Sequence, residues 1–296
     1  MKVSTLTRGL CSAAAAVTFS ATSATIALAE TITVTDVAGR VVEVEKNPSK
    51  IVIGEGRMIY SIAVVDQENP FERVVGWKDD MVKYDPDAYR KYLDKFPEIA
   101  DLKSFGSPYS DEWNLEAVIT LGTEVVFMNL GNLLKAQESG IIEKLEDAGV
   151  ATVFVDFRQN PTQNTVPSIQ LMGRIFDKRD NADAFSDYYQ QQMKLIYSRV
   201  EQIPVEDRPI VFIESAAGYN PNKCCNTFGA ANLGRLVDMS GGRNWGSMKF
   251  PGFRTSVSLE AIFADDPEII IGTGANWSEA NPATTAVLFG YEAEQA

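Results

Sequence analysis

Short apolar runs alternate with helical patterns along most of this chain, and that alternation constrains its fold more than any other feature. Runs such as KIVIG, ERVVGW and ATVFVDF are typical of buried strands, and LLKAQESGIIEKLEDAGV, just before the last of them, has helical spacing. Strands that alternate with helices form parallel βαβ units with helices on both faces of the sheet. The sequence therefore predicts an α/β protein, which opens with a hairpin in TITVTDVAGRVVEVE.

The alternation stops between Thr165 and Ile203, where almost every residue fits a helical pattern. Asp180 and Asn181 are suitable residues for the N-terminal cap of a long helix, and Pro204 is a suitable stop. Apolar residues recur at steps of three or four and so share one face of that helix: Phe185, Tyr189, Met193, Ile196, Val200 and Ile203. The α/β pattern then resumes, so we predict two α/β lobes joined by a helix rather than by a flexible linker.

Each predicted lobe contains one copy of a short helix–strand unit. NLEAVITLGTEVVFM begins at Asn114 and SLEAIFADDPEIIIG begins at Ser258, and both end in an apolar run typical of a buried strand. Asn and Ser are favoured N-caps, and the helix dipole favours a carboxylate at the second helical position, where Glu116 and Glu260 lie. Capping chemistry alone can produce such a match by chance. The alternative is a duplicated lobe with one exposed carboxylate on each copy.

The first 29 residues are typical of a secretory signal peptide. Lys2 and Arg8 begin it, an Ala-rich uncharged run follows, and Ala27-Leu28-Ala29 forms an A-x-A cleavage site before Glu30. Cys11 lies at the start of the apolar run rather than at its end, so we do not expect a lipid anchor. No later run approaches the roughly 20 apolar residues of a membrane helix. We therefore predict a soluble protein exported to a periplasm.

The composition excludes several functions. The chain has 40 acidic and 27 basic residues, and its formal net charge of −13 disfavours binding to nucleic acid or to an anionic membrane surface. It has no histidine, which is the commonest metal ligand and general base in proteins. A Ser-His-Asp or Cys-His catalytic group is thus impossible, as is a histidine-based zinc site. We find no catalytic constellation in the sequence and do not expect an enzyme.

The order of these segments resembles that in the iron–siderophore and cobalamin substrate-binding proteins of bacterial ABC importers. The resemblance covers most of the chain after Glu30. It rests on TVTDVAGRVVEV with KIVIG, on NLEAVITLGTEVVF, on GIIEKLEDAGVATVFVD, on the long helix, and on VFIE, AANLGRLVDMSGGRNW and SLEAIFADDPEIIIGTG. The family fold implies two Rossmann-like lobes with central parallel sheets, bridged by one long α-helix. The ligand then lies between the lobes, where the strand-end loops converge.

The resemblance also implies boundaries along the chain. Residues 1–29 are the signal peptide, 30–160 the N-terminal lobe, 161–206 a helical segment with the bridging helix, and 207–296 the C-terminal lobe. Members of the family usually continue beyond the segment that matches IIIGTG. We therefore expect the second lobe to be truncated, either because the chain is a fragment or because this lobe is unusually small.

The function that the resemblance implies is capture of an iron–siderophore complex and its delivery to an ABC permease with its ATPase. In the family, one surface glutamate on each lobe pairs with permease arginines, and these glutamates map onto Glu116 and Glu260. We expect a monomer with no cofactor of its own. Haem, cobalamin or an oxyanion such as molybdate is the alternative ligand, although the absence of histidine weakens haem and cobalamin. Tyr219 could still ligate haem. An exported enzyme or sensor on the same scaffold is the alternative from a different class.

Loops after the predicted strands supply the candidate ligand-binding residues. A ferric siderophore is often anionic with a broad, partly apolar shell, which arginine donors and flat aromatic walls suit. The glycines of GEGRMI are expected to let the ligand approach the backbone. Any one of the candidates can instead anchor a loop or cover the core. The candidates are Arg57, Trp77, Lys78, Arg158, Tyr219 and Trp245.

Two adjacent cysteines, Cys224 and Cys225, remain after export. They can form a strained disulfide, stay as buried thiols, or act as soft metal ligands. A closed cysteine-based metal site lacks ligands here, because the chain has neither histidine nor a third cysteine after the signal peptide. We therefore predict no metal site, and we expect a structural or cleft-wall role for the pair.

Overall fold

The computed structural model describes residues 30–106, 113–219 and 224–274, together with the single residues 1, 282 and 284. The predicted signal peptide beyond its first residue lies outside the described residues. Within the described part of the chain, no helix is both long enough and apolar enough to cross a membrane.

The predicted hairpin is confirmed. Strands β1 (Thr31–Thr35) and β2 (Val41–Glu45) pair antiparallel, with Thr35 opposite Val41. The side chain of Asp36 fixes the turn, because its Oδ1 accepts the backbone N–H of Arg40 at 2.9 Å. Its Oδ2 accepts the N–H of Phe154 at 3.2 Å, which ties the hairpin to the first sheet.

The first sheet has five strands, all parallel, in the order β5-β4-β3-β6-β7. They are β3 (Ile51–Ile53), β4 (Val74–Trp77), β5 (Lys103–Ser104), β6 (Val125–Asn129) and β7 (Ala151–Val155). The helices around them are α1 (Ile59–Val65), α2 (Asp80–Tyr84), α3 (Pro86–Lys95), α4 (Leu115–Thr120), α5 (Leu133–Glu138) and α6 (Ile141–Asp147). The chain reverses direction across the sheet between β3 and β6, and open α/β sheets form their ligand crevice at such a reversal.

Both faces of this sheet are covered, which explains why its strands read as continuous apolar runs. In β6, Phe127 faces one core cluster, while Val126 and Met128 face the other. All three side chains are fully buried. The α/β fold with a parallel central sheet is therefore confirmed.

Two packed helices, α7 (Pro161–Ile175) and α8 (Arg179–Val200), follow the first sheet. With 22 residues, α8 is about 33 Å long at 1.5 Å per residue. The prediction that Asp180 or Asn181 caps this helix is wrong, because both lie inside it. The amide of Asn181 instead donates to the carbonyl of Val65 in α1 at 2.8 Å. At the other end, the Tyr197 hydroxyl lies 3.5 Å from the sulfur of Met239 in the second half of the chain.

The second sheet is mixed. Its strands are β8 (Ile210–Glu214), β9 (Asn226–Phe228), β10 (Arg243–Asn244), β11 (Arg254–Ser256) and β12 (Ile269–Gly272), and its helices are α9 (Asn232–Met239), α10 (Trp245–Lys249) and α11 (Leu259–Asp265). Strands β10 and β12 pair parallel with β8, as the sequence predicts. Strand β9 pairs antiparallel with β8, and β11 pairs antiparallel with β9. The loop from β8 to β9 has no helix among its described residues, and a parallel return needs a longer crossover.

Strand β12 differs from its counterpart β6 in the repeated unit. Ile269, Ile270 and Ile271 are 42%, 64% and 40% exposed. The strand pairs only with β8 among the described residues, so it forms an edge of the second sheet. The expectation of a buried strand therefore holds for β6 but not for β12.

We call each sheet with its helices a lobe. The sheets are built from residues 51–155 and 210–272. The lobe boundaries given above stay a prediction.

Candidate functional site

A cleft of about 580 Å³ lies between the two lobes. The segments after β3, β6 and β7 line it from the first lobe, and the segments after β8 and β12 line it from the second. Its polar lining includes Glu55, Arg57, Asn129 and Arg158 on one side and Ser215, Asn232, Arg254 and Thr273 on the other.

The chain reversal in the first sheet places Glu55 and Asn129 at the centre of the cleft wall. Glu55 follows β3, and Asn129 is the last residue of β6. The Asn129 amide donates to Oε2 of Glu55 at 3.2 Å. Glu55 is 9% exposed and Asn129 is 5% exposed. The sequence singles out neither residue as a candidate, although each directly follows or ends a predicted strand.

Arg57 is held by two carboxylates. Its Nη2 lies 2.9 Å from Oε1 of Glu55, and its Nε lies 2.8 Å from Oδ2 of Asp80. The guanidinium also lies 5.6 Å from the ring centre of Tyr84. Burial alone would lower the pKa of Arg57, but the hydrogen bond to Asp80 and the charges of Glu55 and Asp80 outweigh it and raise the pKa. The predicted ligand residue Arg57 therefore lies in the cleft as a fixed, permanent cation.

The glycine before Arg57 serves the protein's own backbone rather than a ligand. The N–H of Gly56 donates to Oδ1 of Asp80 at 2.5 Å. A Cβ at this position would lie 2.3 Å from the carbonyl oxygen of Lys78. From the sequence, the glycines of GEGRMI are expected to let a ligand approach the backbone. At Gly56, the loop after β4 makes this close approach instead.

Arg158 reaches the same carboxylate as Arg57. Its Nη1 lies 2.5 Å from Oε1 of Glu55. The loop that carries it is organised by buried Asp156, whose Oδ1 accepts the N–H groups of Arg158 at 2.9 Å and Gln159 at 2.7 Å. Oδ2 of Asp156 accepts the N–H of Asn160 at 2.9 Å. The predicted residue Arg158 therefore lies in the cleft.

Arg254 is the cleft cation that the sequence does not reveal. It begins β11 and is exposed, and its Nη2 donates to the carbonyl of Ser215 at 3.4 Å. It forms no ion pair with any described residue, in contrast to Arg57 and Arg158. Sequence reasoning looks for ligand residues in loops after parallel strands, whereas Arg254 lies in an antiparallel strand at the edge of the cleft.

Aromatic and aliphatic side chains form the rest of the wall, among them Phe157, Phe228 and Phe253. The rings of Phe228 and Phe253 lie 5.8 Å apart and nearly perpendicular. Tyr60 also lines the cleft, and its hydroxyl donates to Asp85 at 2.5 Å. Burial and that carboxylate raise the pKa of Tyr60, so it stays a neutral phenol. The cleft thus combines arginine charges with apolar surface.

The two lobes also contact each other beside the cleft. The rings of Tyr84 in α2 and Tyr219 after β8 lie 6.1 Å apart. A hydrogen bond to Tyr219, followed by burial, raises the pKa of Tyr84. The N–H of Asn232 donates to the carbonyl of Gln159 at 3.1 Å. The predicted residue Tyr219 thus joins the lobes but is not among the residues that line the cleft.

The structure does not bring the predicted residues Trp77, Lys78 and Trp245 into the cleft. Trp77 is 3% exposed and packs against the ring of Phe71 at 6.0 Å. Trp245 is 2% exposed, and its Nε1 donates to Asp265 at 2.8 Å. Lys78 is half-buried and is not part of the lining. Side chains alternate between the two faces at a strand end, and both tryptophans point into a core.

The adjacent cysteines form a disulfide with each other. Neither sulfur lines the cleft. Cys225 is buried and belongs to a small core cluster with Phe212, Trp245 and Ile262. Of the roles considered from the sequence, the structure therefore has the disulfide, and it places the pair away from the cleft wall.

Glu116 and Glu260 lie on the surface, each at the second position of its helix. The predicted capping is confirmed, because Asn114 accepts the N–H of Ala117 at 2.9 Å, and Ser258 accepts the matching N–H in α11 at 3.2 Å. Hydrogen bonds from its own backbone N–H and from Ser258 lower the pKa of Glu260. Neither glutamate lines the cleft.

Comparison with known proteins places this geometry in context. The family model described as "Periplasmic binding protein" matches residues 74–285. A TroA-like periplasmic binding protein, FepB from Veillonella parvula, has a similar structure with a TM-score of 0.75 at 23% identity, over 87% of this chain and 74% of that one. The molybdate-binding protein MolA of Haemophilus influenzae gives a TM-score of 0.64 at 19% identity, over 81% and 73%.

The heme binding protein HmuT is also similar, with a TM-score of 0.55 at 18% identity, over 86% of this chain and 74% of that one. No curated protein sequence matches this chain significantly. At these identities the structural likenesses show the fold alone.

Proposed function

The chain belongs to the periplasmic binding protein family, and from that premise we propose that it captures an anionic ferric siderophore in the cleft and delivers it to an ABC permease. The observation that carries the proposal is the convergence of Arg57, Arg158 and Arg254 on one cleft of a strongly acidic protein. Glu55 is the only carboxylate among the lining residues that the structure describes. The lining therefore carries an excess of positive charge.

The cleft also suits the size and surface of such a ligand. Pockets for small molecules of this class measure about 300–1,000 Å³ and combine apolar walls with a few oriented polar groups. The cleft has this character, because Phe157, Phe228 and Phe253 alternate with the arginines. Planar guanidinium groups can donate paired hydrogen bonds to the oxygen atoms of a catecholate or carboxylate chelate.

The alternative ligands fit these features less well. An oxyanion such as the molybdate bound by MolA needs a small site closed by donors on all sides, whereas this cleft is wide and partly apolar. Haem, which HmuT binds, needs an axial ligand, and the chain has no histidine. The two tyrosines nearest the cleft are engaged elsewhere, since Tyr60 donates to Asp85 and Tyr219 hydrogen-bonds with Tyr84. Cobalamin is weakened by the same absence of histidine.

We place the protein in the periplasm, with a permease and its ATPase as partners and without catalysis. Glu116 and Glu260 are the proposed contacts to the permease, one on each lobe. Because α8 bridges the lobes as one helix and the lobes also touch beside the cleft, we propose that they close on the ligand with little rotation.

The experiment is a calorimetric titration of the protein with ferric complexes that differ in charge but share their metal. Strongly anionic tris-catecholate and citrate complexes should bind more tightly than a near-neutral hydroxamate complex, and added salt should weaken only the anionic ones. Equal affinity for all three complexes would refute the charge argument. Binding of none would refute the iron assignment.

A further inference from the structure

The disulfide lies beside a carboxylate that the sequence does not connect with it. Glu214, at the end of β8, has a carboxylate oxygen within 4.8 Å of the sulfur atoms of both Cys224 and Cys225. Glu214 is half-buried, Cys224 is exposed and Cys225 is buried. None of the described residues donates a hydrogen bond to the Glu214 carboxylate or forms an ion pair with it. A carboxylate with no donor among the described residues thus lies within 4.8 Å of two sulfur atoms.

Backbone hydrogen bonds fix the end of β8 and Cys225. The N–H of Ser215 donates to the carbonyl of Asn226 at 2.7 Å, which fixes the end of β8 against the start of β9. Cys225 is fixed from the other side, because its N–H donates to the carbonyl of Val257 at 3.1 Å and its carbonyl accepts the N–H of Val257 at 2.8 Å. Cys225 also packs against Trp245. The backbone at Glu214 and at Cys225 is therefore positioned before any ligand binds.

We propose that the reduced form of this group binds a borderline or soft divalent cation, with Zn²⁺ as the best-fitting choice, at a site separate from the cleft. A dithiol reductant supplies two electrons and two protons, which open the S–S bond and leave two thiols. The cation then displaces both thiol protons and is held by two thiolates and the Glu214 carboxylate.

The geometry suits zinc once the bond is open. At a Zn–S distance of about 2.3 Å, two thiolates on a tetrahedral ion lie about 3.8 Å apart, and the carboxylate oxygen binds at about 2.0–2.2 Å. Donor atoms that already lie within 4.8 Å of one another can reach these positions by side-chain rotation. Thiolate ligands favour zinc and copper(I) over calcium or magnesium. Three protein ligands leave the fourth position open to water or to a small ligand.

The proposal departs from the prediction of no metal site, because it adds a third ligand that is neither histidine nor cysteine. Glu214 supplies it from β8, which only the antiparallel pairing of β8 and β9 brings next to the cysteines. The inference does not depend on what the cleft binds.

The test uses the full chain, reduced by a dithiol and freed of metal, in competition with a chromophoric chelator for Zn²⁺. The reduced chain should bind one equivalent, and the disulfide form should bind none. Cobalt(II) in place of zinc should give the near-ultraviolet charge-transfer band of thiolate ligation. Cys224→Ser, at an exposed position, and Glu214→Gln should each weaken zinc affinity by at least about tenfold, the smallest loss typical of disturbed metal ligation.

Glu206→Gln is the matched control, because it removes an exposed carboxylate that precedes β8 and lies outside this group. It should leave zinc affinity unchanged. The proposal is overturned if the reduced chain binds no zinc, if the variants bind as tightly as the wild type, or if the disulfide form binds equally well. Thiol alkylation of the wild type provides a second measurement that needs no variant. Zinc should slow alkylation while magnesium should not, and equal rates would also overturn the proposal.

Discussion

Glu55 forms ion pairs with two of the three cleft arginines. Its carboxylate accepts Arg57 and Arg158 together, and Asn129 contacts its other oxygen. Arg57 has a second carboxylate in Asp80, whereas the Arg158 side chain is almost half exposed. A bound anion would therefore compete with Glu55 for Arg158, whereas Arg254 has no ion-pair partner among the described residues. Of substitutions at the three cleft arginines, we expect one at Arg254 to weaken ligand affinity most and to change the free energy of unfolding least.

The first prediction concerns that residue. Arg254→Ala should weaken binding of an anionic ferric complex about tenfold to a hundredfold, since a hydrogen bond to a charged group contributes about 1.5–3 kcal/mol. The free energy of unfolding should change little, because no described carboxylate loses a partner. Calorimetry and denaturant titration measure the two effects. Arg199→Ala, an exposed arginine of α8 outside the cleft, is the control, and an equal loss of affinity in both variants would contradict the assignment.

Asp156 is expected to matter for both stability and binding. Its buried carboxylate accepts several donors of the loop that carries Arg158. Asp156→Ala leaves these donors without a partner and should lower the free energy of unfolding by about 3 kcal/mol. Ligand affinity should also fall, because Arg158 loses its fixed position. Asp183→Ala, at an exposed position in α8, should change neither quantity, and a wild-type-like Asp156→Ala protein would refute this role.

The sequence predicts a cleft residue correctly when its position after a predicted strand is enough to place it in the cleft. Arg57 and Arg158 lie in the segments that follow β3 and β7, and both lie in the cleft. Trp77 and Trp245 lie even closer to strand ends, but their side chains face a core, and the sequence does not show which way they point. Arg254 depends on a strand pairing that composition and periodicity do not reveal.

Among the secondary-structure elements, α8 contacts both lobes that form the cleft. It begins against α1 through Asn181 and reaches Met239 of α9 through Tyr197. One continuous helix between two lobes resists bending far more than an extended linker would. The apolar periodicity predicts a helix here, but the predicted stripe is only partly right, because Ile203 lies beyond the end of α8 and Ile196 is 40% exposed.

A break in α8 should therefore affect both lobes. Gln191→Pro, at an exposed position in the middle of the helix, should lower the free energy of unfolding by about 3 kcal/mol, because proline removes a hydrogen bond and clashes with the preceding turn. Ligand affinity should fall as well, since the lobes lose their fixed relation. Gln191→Ala should preserve both. If the proline variant kept full affinity, the rigid bridge would not be needed for binding.

The repeated helix–strand units show where prediction from sequence ends. Both copies form a capped helix followed by a parallel strand, as their shared pattern indicates. Burial differs, because β6 lies inside a five-stranded parallel sheet while β12 forms an edge. Local sequence fixes the caps and the strand, but neighbouring elements determine which faces are covered. The antiparallel pairing of β9 with β11 could not be predicted from local sequence either, because it depends on the loop that follows β8.

At the scale of the whole molecule, the charges are divided between the cleft and the outer surface. The chain is strongly acidic overall, yet its cleft gathers arginines. Glu116 and Glu260 lie outside that cleft, one on each lobe. This division allows one surface to bind an anion and another to contact a cationic partner.

The docking proposal follows from that division. Glu116→Ala and Glu260→Ala, alone and together, should reduce uptake of the ferric complex in cells while leaving the affinity of the purified protein unchanged, because neither carboxylate reaches the cleft. The double variant should transport at the background rate. Glu143→Ala provides an exposed carboxylate of α6 as control. Loss of ligand affinity in either glutamate variant would show that the docking assignment is wrong.

Native mass spectrometry of the protein purified from its source is the decisive test of whether the cleft holds an anionic ferric chelate. We expect a complex whose added mass and isotope pattern correspond to one ferric siderophore, and whose population falls in the Arg254→Ala variant. A retained haem, cobalamin or molybdate in its place would refute the proposed ligand.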